Sequence, residues 1–480
     1  MAEEKTLKTI SDGALKRANE IKADYIGFFN THKVKYASGN LSKPYIGDLS
    51  PGCLTCINGT WSCIYINGLC TRNCFYCPQD RKIKKESPPL TDEHIKFNSV
   101  DDYINYLKRY PFEGIGFSGG EPLLVFDKLM EYIKEIRKVF GSAHYVWIYT
   151  NGDLVSEERL NILSKAGLDE IRFDASANGY DLKPIKQAVK HIKTVSIEIP
   201  AIPEDLEFVK SHIKEFEEIG VKHLNIHQLM MSKHNKDAFD KRNYSVLHTN
   251  MYEDDHPVLE SELAGFEIIK HAIKIKSKIG INYCSRCYKA RFQGKAFRKM
   301  YLSLNGDDPN TITSTGFVRV FSIDSPPDEI GVLKNISDQS GFKPTNDSNG
   351  SAFVLPSEYF SKLLEPNAYH KINTTYYYPK IKPFKNEDQK NSKPLKFGKI
   401  RVSFFKDKVC SIELKNKTSA IFFQKIFIEN KDFDQTADEV INLYNMNVDE
   451  KQNILEDIKT FYEQFEDIEY TPKNIPDYEN

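Results

Sequence analysis

The sequence predicts an α/β protein. Its main body reads as a partial (β/α)6-type parallel barrel, followed by a C-terminal α+β extension. Three observations lead there. Between about residues 61 and 284, short β-rich runs alternate with amphipathic helical stretches, the pattern of βαβ units and a parallel sheet. Polar and glycine-rich residues gather at the same end of successive runs, where such a barrel carries its active site. Beyond about residue 295 the alternation stops and β-rich segments with polar loops follow.

The elements follow in order. Strands are expected over 62–66 (SCIYI), 114–117 (GIGF), 145–149 (YVWIY), 170–173 (EIRF), 195–199 (VSIEI), 223–228 (HLNIHQ) and 280–283 (GINY). Helices are expected over 100–109, 126–140, 156–166, 182–191, 206–219 and 264–277. In the second of these, Leu129, Ile133, Ile136 and Phe140 share one helical face. The strands run out into "NGLC", "SGGEP", "TNGD", "DAS", "EIPAIPED" and "HQLM". An insertion at about 229–258 holds His234, His248 and His256 at irregular spacing, which reads as a loop rather than a metal site. It could lie as a lid over the substrate.

The expected organisation is an N-terminal extension with a cysteine pair (1–60), the barrel (61–295), a β-rich extension (296–380), a linker (381–396) and a small acidic winged-helix-like α+β domain (397–480). The linker reading rests on "KIKPFKNEDQKNSKPLKFGK", which is polar and basic, with prolines and no apolar period. In the last segment Ile454, Leu455, Ile458, Phe461, Tyr462 and Phe465 form an apolar stripe. Residues 431–480 carry 14 acidic and 4 basic residues.

Composition sets the outer limits. At 480 residues the chain exceeds what one core usually holds. Mean hydropathy is −0.50, and no apolar run approaches membrane-spanning length. The N-terminus is charged and lacks a signal-peptide core, so a cytoplasmic protein is expected. A net charge of −1 gives no global attraction to nucleic acid or anionic lipid, although a local RNA site stays open.

The nine cysteines carry the chemistry. They stand at 53, 56, 63, 70, 74, 77, 284, 287 and 410. In a reducing compartment such clustering points to metal or redox chemistry rather than disulfides. Cys70, Cys74 and Cys77 form C-x3-C-x2-C on the loop after the first strand. Three thiolates on a wrapping loop can hold three corners of a [4Fe–4S] cube and leave one iron open. A zinc site would need a fourth ligand, and none follows closely.

"CTRNCFYCP", "FSGGEP", "YTNG" and "GLDEIRFDAS" stand in that order at successive strand ends. With them the chain resembles the radical S-adenosylmethionine (SAM) superfamily over about residues 50–295. "LSPGCLTCINGTW" and "NYCSRCYKARFQGKAFRK" extend the resemblance to a group related to the pyruvate formate-lyase activating enzyme.

The resemblance implies that Cys70, Cys74 and Cys77 bind a [4Fe–4S] cluster and that SAM chelates the open iron. It implies that Tyr76 lies near the adenine and that Ser118, Gly119, Gly120 and Glu121 receive the methionine moiety. The glycines would allow close approach, Glu121 would meet the ammonium and Pro122 would stiffen the turn. Thr150 and Asn151 would bond the ribose or carboxylate region. Asp174 and Glu198 would touch ribose or substrate. A flavodoxin- or ferredoxin-like electron donor is implied as well.

Two further features stand outside this set. Cys53-x2-Cys56 and Cys284-x2-Cys287 together supply four thiolates, which suits an auxiliary Fe–S cluster or a zinc ion if the early loop folds back over the barrel. Cys63 reads as a core residue and Cys410 as structural. The basic run Lys289, Arg291, Lys295, Arg298 and Lys299 reads as a solvated helix face, with an anionic substrate or docking role as the alternative.

Residues 397–472 resemble, in element order, the precursor-binding domains of ribosomal peptide modification systems, which pair a leader peptide against a sheet edge. The expectation is therefore an enzyme acting on a peptide or protein. Modification of RNA or a small molecule, or a non-catalytic metal protein, are the alternatives.

Overall fold

The fold was examined in a computed structural model of the chain. The structure describes residues 10–37, 42–79, 86–91, 95–108, 110–247, 256–305, 312–313, 315–324, 345–346, 352–355, 370–383, 400–414, 423 and 425. The chain divides into two compact units that part between Phe297 and Arg298.

The first unit is built on seven parallel strands: β1 (Trp61–Asn67), β2 (Gly114–Gly119), β3 (Tyr145–Thr150), β4 (Glu170–Phe173), β5 (Thr194–Pro200), β6 (His223–His227) and β7 (Gly280–Cys284). Their spatial order is their chain order. Every neighbouring pair is parallel, so all seven C-terminal ends lie at one end of the sheet. The sheet is bordered by Leu90–Thr91 beside β1 and by Pro44–Ile46 beside β7, both antiparallel. The expected α/β parallel architecture is therefore present, with strand bounds within about two residues of the expected ones.

The strands form where apolar runs are buried on both faces, as parallel sheets require. Ile64, Ile66, Ile115, Phe117, Ile148, Ile171, Ile197 and Ile226 are buried on one face, and Cys63, Trp147, Arg172, Ser196 and Asn225 on the other. The helices are α1 (Asp12–Thr31), α2 (Pro51–Asn58), α3 (Val100–Leu107), α4 (Phe126–Phe140), α5 (Glu157–Lys165), α6 (Lys183–Ala188), α7 (Leu206–Ile219) and α8 (Leu259–Lys274). Local chemistry marks several starts. Ser50, Ser99 and Ser156 each accept a hydrogen bond from the amide three residues on, which satisfies an orphan donor of the first turn. In α4 the buried face holds Leu129, Ile133 and Ile136, as the periodicity predicts.

The N-terminal extension packs on this body. In α1, Tyr25 donates to Glu267 of α8 at 2.9 Å, and Phe29 meets Phe266 edge-on. Helix α2 packs against the sheet: a Cβ on Gly114 would lie 2.5 Å from Thr55 Oγ1, and one on Gly52 would lie 2.4 Å from Arg172 Nη2. Among the described residues no helix is long and apolar enough to cross a membrane.

In the second unit, five antiparallel strands follow the order Thr345–Asn346, Ala352–Leu355, Val318–Asp324, His370–Pro383 and Ile400–Leu414. The last two pair along their length. The sheet thus runs across the boundary expected at 381–396, and the strand expected to open the final domain belongs with the β-rich segment before it. Residues 384–399 and the acidic helices expected after 414 lie outside the described residues, as does the side chain of Cys410.

Candidate functional site

The loop after β1 carries Cys70, Cys74 and Cys77, and the ends of β2, β3 and β4 hold it. Asn67, the last residue of β1, starts the clamp. Its Nδ2 donates to Glu121 O at 3.1 Å, and its Oδ1 accepts from Leu69 N. Gly120 N donates to Asn67 O at 2.9 Å, and Glu121 N to Leu69 O at 2.7 Å. This contact explains the two glycines. A Cβ on Gly119, whose φ is +118°, would fall 2.2 Å from Asn67 O, and one on Gly120 would fall 1.8 Å from Leu69 O. The close approach expected toward a cofactor is thus an approach to the chain's own backbone, and only glycine allows it. Ser118, Gly119 and Gly120 remain half-buried at the strand end.

Glu121 differs from expectation in the same way. Its side chain is fully buried. It accepts from Thr150 Oγ1 at 2.9 Å, Asn151 N at 2.8 Å and Leu123 N at 3.1 Å. Burial raises its carboxyl above the ordinary range, and these donors offset only part of that. It ties the ends of β2 and β3 together and has no surface left for an ammonium. Thr150 and Asn151 are likewise buried. Asn151 Nδ2 donates to Thr71 Oγ1 at 2.8 Å and reaches Cys70 Sγ at 3.7 Å, so it serves the cysteine loop rather than an open pocket.

Two residues missed in the sequence complete this side. Asp153 accepts from Thr71 Oγ1 at 2.8 Å and from Arg72 Nε at 2.7 Å. Gln79 Nε2 donates to Gly119 O at 2.9 Å. The signal for Asp153 was its place directly after "TNG" at a strand end. Gln79 carried none.

Tyr76 crosses to β4. Its hydroxyl donates to Asp174 Oδ2 at 2.9 Å and lies 2.7 Å from Ser176 Oγ. Burial, then the Asp174 carboxylate, push the Tyr76 phenol upward, so it remains a donor. The insertion covers the same loop. Asn235 Nδ2 donates to Tyr76 O at 3.1 Å. Phe239 meets Phe75 at 5.8 Å, and the Arg242 guanidinium lies 3.5 Å from the centre of the Phe75 ring. His234 is exposed and His248 lies outside the described residues.

The three thiols suit a cationic cluster. Burial raises the thiols of Cys70 and Cys74, the latter to about 11. Asp174 and the neighbouring cysteines raise Cys74 further. Iron would supply the positive charge that converts such thiols to thiolates. Among the described residues no three His, Cys, Asp or Glu side chains converge as ligands of a single ion. A cube, by contrast, gives each sulfur its own iron.

Glu198 is placed elsewhere, in a charged network between strands. Its Oε2 accepts from Arg172 Nη1 and Asn225 Nδ2, both at 3.0 Å, and its Oε1 faces His227 Nε2. Burial alone would raise its carboxyl, but Arg172 and His227 hold it well below the ordinary range. These partners occupy the carboxylate expected to contact ribose or substrate. Arg172 is 3% exposed. It also bonds Glu170 and Ser50 Oγ and stacks on Trp147 at 4.8 Å. Its signal in the sequence was an arginine inside the apolar strand "EIRF".

The remaining cysteines fall into place around it. Cys63 is buried in a cluster with Trp61 and Trp147, as a core residue should be. Cys53 and Cys284 are buried, Cys56 and Cys287 half-buried. Of the basic run, Lys289 is half-buried rather than solvated, and Arg298 donates to Thr315 O at 2.7 Å in the second unit.

Comparison with known proteins places this geometry in a family. Residues 64–187 match the family described as the Radical SAM superfamily. The chain is 31% identical over 271 residues to a protein of Methanocaldococcus jannaschii named "Putative glycyl-radical enzyme activating enzyme", covering 54% of this chain and 68% of that one. It is 29% identical over 170 residues to a "Probable GTP 3',8-cyclase" of Methanococcus aeolicus, covering 35% and 50%. Among solved structures, Streptococcus suis SuiB bound to S-adenosylmethionine aligns with 12% identity and a TM-score of 0.33, over 58% of this chain and 57% of that one. The chain thus spans about two thirds of the first relative and about half of the others. The family match reaches over the three-cysteine loop and the strand ends that clamp it, the first relative is matched over two thirds of its length, and the chain belongs to the radical SAM superfamily of enzymes.

Proposed function

We propose that the protein cleaves S-adenosylmethionine reductively at a [4Fe–4S] cluster held by Cys70, Cys74 and Cys77 and uses the resulting radical on a peptide or protein. The observation that carries the reading is the clamp on loop 68–79: three strand ends fix it, while Cys70 stays exposed and Cys74 and Cys77 stay half-buried. When bound, the cluster and SAM supply a 5′-deoxyadenosyl radical that takes a hydrogen atom from the substrate.

The chain's residues position and shield. Asn67, Gly120 and Glu121 fix the loop against β2. Asn151 and Asp153 fix Thr71 and Arg72. Tyr76, tied to Asp174, presents its ring at the loop's far side, where an adenine would lie. Ser118 to Gly120 offer half-buried backbone to the methionine moiety. Phe239 and Arg242 cover Phe75 and limit water at the loop. The macromolecular substrate is favoured by the first relative, whose name assigns it the activation of an enzyme. The cytoplasm, which keeps thiols reduced, is the setting, and a flavodoxin- or ferredoxin-like protein is the electron source.

The test is anaerobic reconstitution followed by dithionite and SAM. 5′-Deoxyadenosine should form, and Cys70→Ala, Cys74→Ala and Cys77→Ala should each abolish it. An intact cluster that yields none refutes the reading. Stimulation by RNA or a small metabolite, and not by any peptide or protein encoded nearby, would refute the substrate class.

A further inference from the structure

A side-chain amide carries two N–H protons, and those of Asn151 go to different partners. Asn151 follows β3 and is buried. Its backbone N donates to Glu121 Oε2 at 2.8 Å. Its Oδ1 accepts from Asp153 N at 3.0 Å, across Gly152, whose φ of +89° closes the turn. That bond decides which end of the amide is oxygen. Nδ2 therefore faces the cysteine loop. One of its protons goes to Thr71 Oγ1 at 2.8 Å. The other is left for Cys70 Sγ, 3.7 Å away.

Cys70 Sγ has a second donor, Arg72 N, at 3.4 Å. Asp153 holds this one in place. Its carboxylate accepts from Arg72 Nε at 2.7 Å, Arg72 Nη2 at 2.5 Å and Thr71 Oγ1 at 2.8 Å. Cys70 is the exposed cysteine of the three, and its sulfur meets one N–H from its own loop and one from the end of β3. An N–H aimed at a cluster-bound sulfur sets the positive end of a dipole beside it. Reduction adds an electron to the cluster, so the reduced state gains more from that dipole than the oxidised state, and the potential rises.

We propose that Asn151 is a positioning residue for the [4Fe–4S] cluster, its second amide proton and the Arg72 N–H together raising the reduction potential through the Cys70 sulfur. This role rests on the cluster reading above. A cluster that is easier to reduce takes its electron more readily from a flavodoxin- or ferredoxin-like donor.

The experiment uses the full chain, reconstituted anaerobically with iron and sulfide and titrated without SAM, the reduced cluster being read by EPR. At the wild-type midpoint, Asn151→Ala should show about a tenfold lower ratio of reduced to oxidised cluster, a shift of about 59 mV for one electron. Asn151→Asp keeps the shape and the bond from Asp153 N but replaces the donor with negative charge, so its ratio should be lower still. Thr71→Val removes the partner of the other proton and leaves the N–H on sulfur; its ratio should change less than about twofold. Unmoved midpoints in both Asn151 variants at full iron and sulfide content overturn the proposal. So does a Thr71→Val shift as large as that of Asn151→Ala, which would make the effect one of loop loosening. Failure of both Asn151 variants to take up iron would make Asn151 an assembly residue and overturn it equally. A wild type that takes up no cluster refutes the cluster reading itself, whereas a loaded wild type with unmoved variants refutes only the role of Asn151.

Discussion

Replacing Gly120 with Ala would put a Cβ 1.8 Å from the carbonyl oxygen of Leu69 and 2.4 Å from its carbon. Real Cβ contacts stay beyond 3.0 Å, so that carbonyl must retreat by more than an ångström. Leu69 directly precedes Cys70, and the cysteine moves with it. Ligand constellations tolerate displacements of only about 0.5 Å. The retreat also breaks the bonds from Gly120 N to Asn67 O and from Glu121 N to Leu69 O, at about 1 kcal/mol each. Overpacking adds about 1–3 kcal/mol. A total of about 3–5 kcal/mol would lower the thermal midpoint by roughly 5–8 °C for a unit of this size.

Cluster content after reconstitution, read as iron and sulfide per chain, should fall severalfold. Gly141→Ala is the control. Gly141 has φ +60° and ψ −129° and nothing within 4 Å of its Cβ position, so its cost is that sparsely populated backbone conformation alone, about 1–3 kcal/mol, with cluster content unchanged. If Gly120→Ala matches Gly141→Ala in both midpoint and cluster content, the clamp is not what positions Cys70.

Three further outcomes are expected. Glu121→Ala strands the donors of Thr150, Asn151 and Leu123 in a buried site, at about 1–3 kcal/mol each, and Glu121→Gln should recover part of the loss in urea unfolding. Glu198→Gln should cost about 3–5 kcal/mol at pH 7, since Arg172 loses a buried partner. The folded carboxyl of Glu198 lies below its unfolded value of 4.5, so its contribution is full above that pH and fades as pH falls below it. His227, whose folded pKa Glu198 helps raise, adds stability in the wild type as it protonates, so the gap between wild type and variant in urea midpoint should widen from pH 7 to 5 and shrink in more acid solution. Asn235→Ala removes the bond to Tyr76 O and loosens the cover on the cysteine loop. Asn235 also accepts from Ser232 N and donates to Met230 O, so visible absorption of the reconstituted cluster should bleach faster in air and the thermal midpoint should fall by the few degrees that a stranded buried group, about 1–3 kcal/mol, implies.

The readings that held are local ones. A strand such as "YVWIY" or a helix such as α4 announces itself through spacing and through capping residues that act within one turn. The alternation of the two implies parallel order, because each crossover returns the chain to the same end of the sheet. The C-x3-C-x2-C loop is local as well, and so is its position after the first strand. These parts were open to inspection because the interacting groups are close in sequence.

What needed the tertiary structure is the set of partners that each polar residue finds across the sheet. In "SGGEP" only the placing of β2 beside β1 shows that Gly119 and Gly120 also meet Asn67 and Leu69, and that Glu121 turns to Thr150 and Asn151. Glu198 reads as a strand-end contact until Arg172 and His227 arrive from β4 and β6. The composition at 381–396 suggested a linker, yet the flanking strands pair in one sheet, because pairing is decided by partners and not by the segment between them. The sequence by itself determined the order of elements and the place of the three-cysteine loop after the first strand. Only the folded chain decided which side chains hold that loop, which are buried, and that Lys43 meets Asn282 and Cys284, since those facts depend on contacts between residues up to about 240 positions apart.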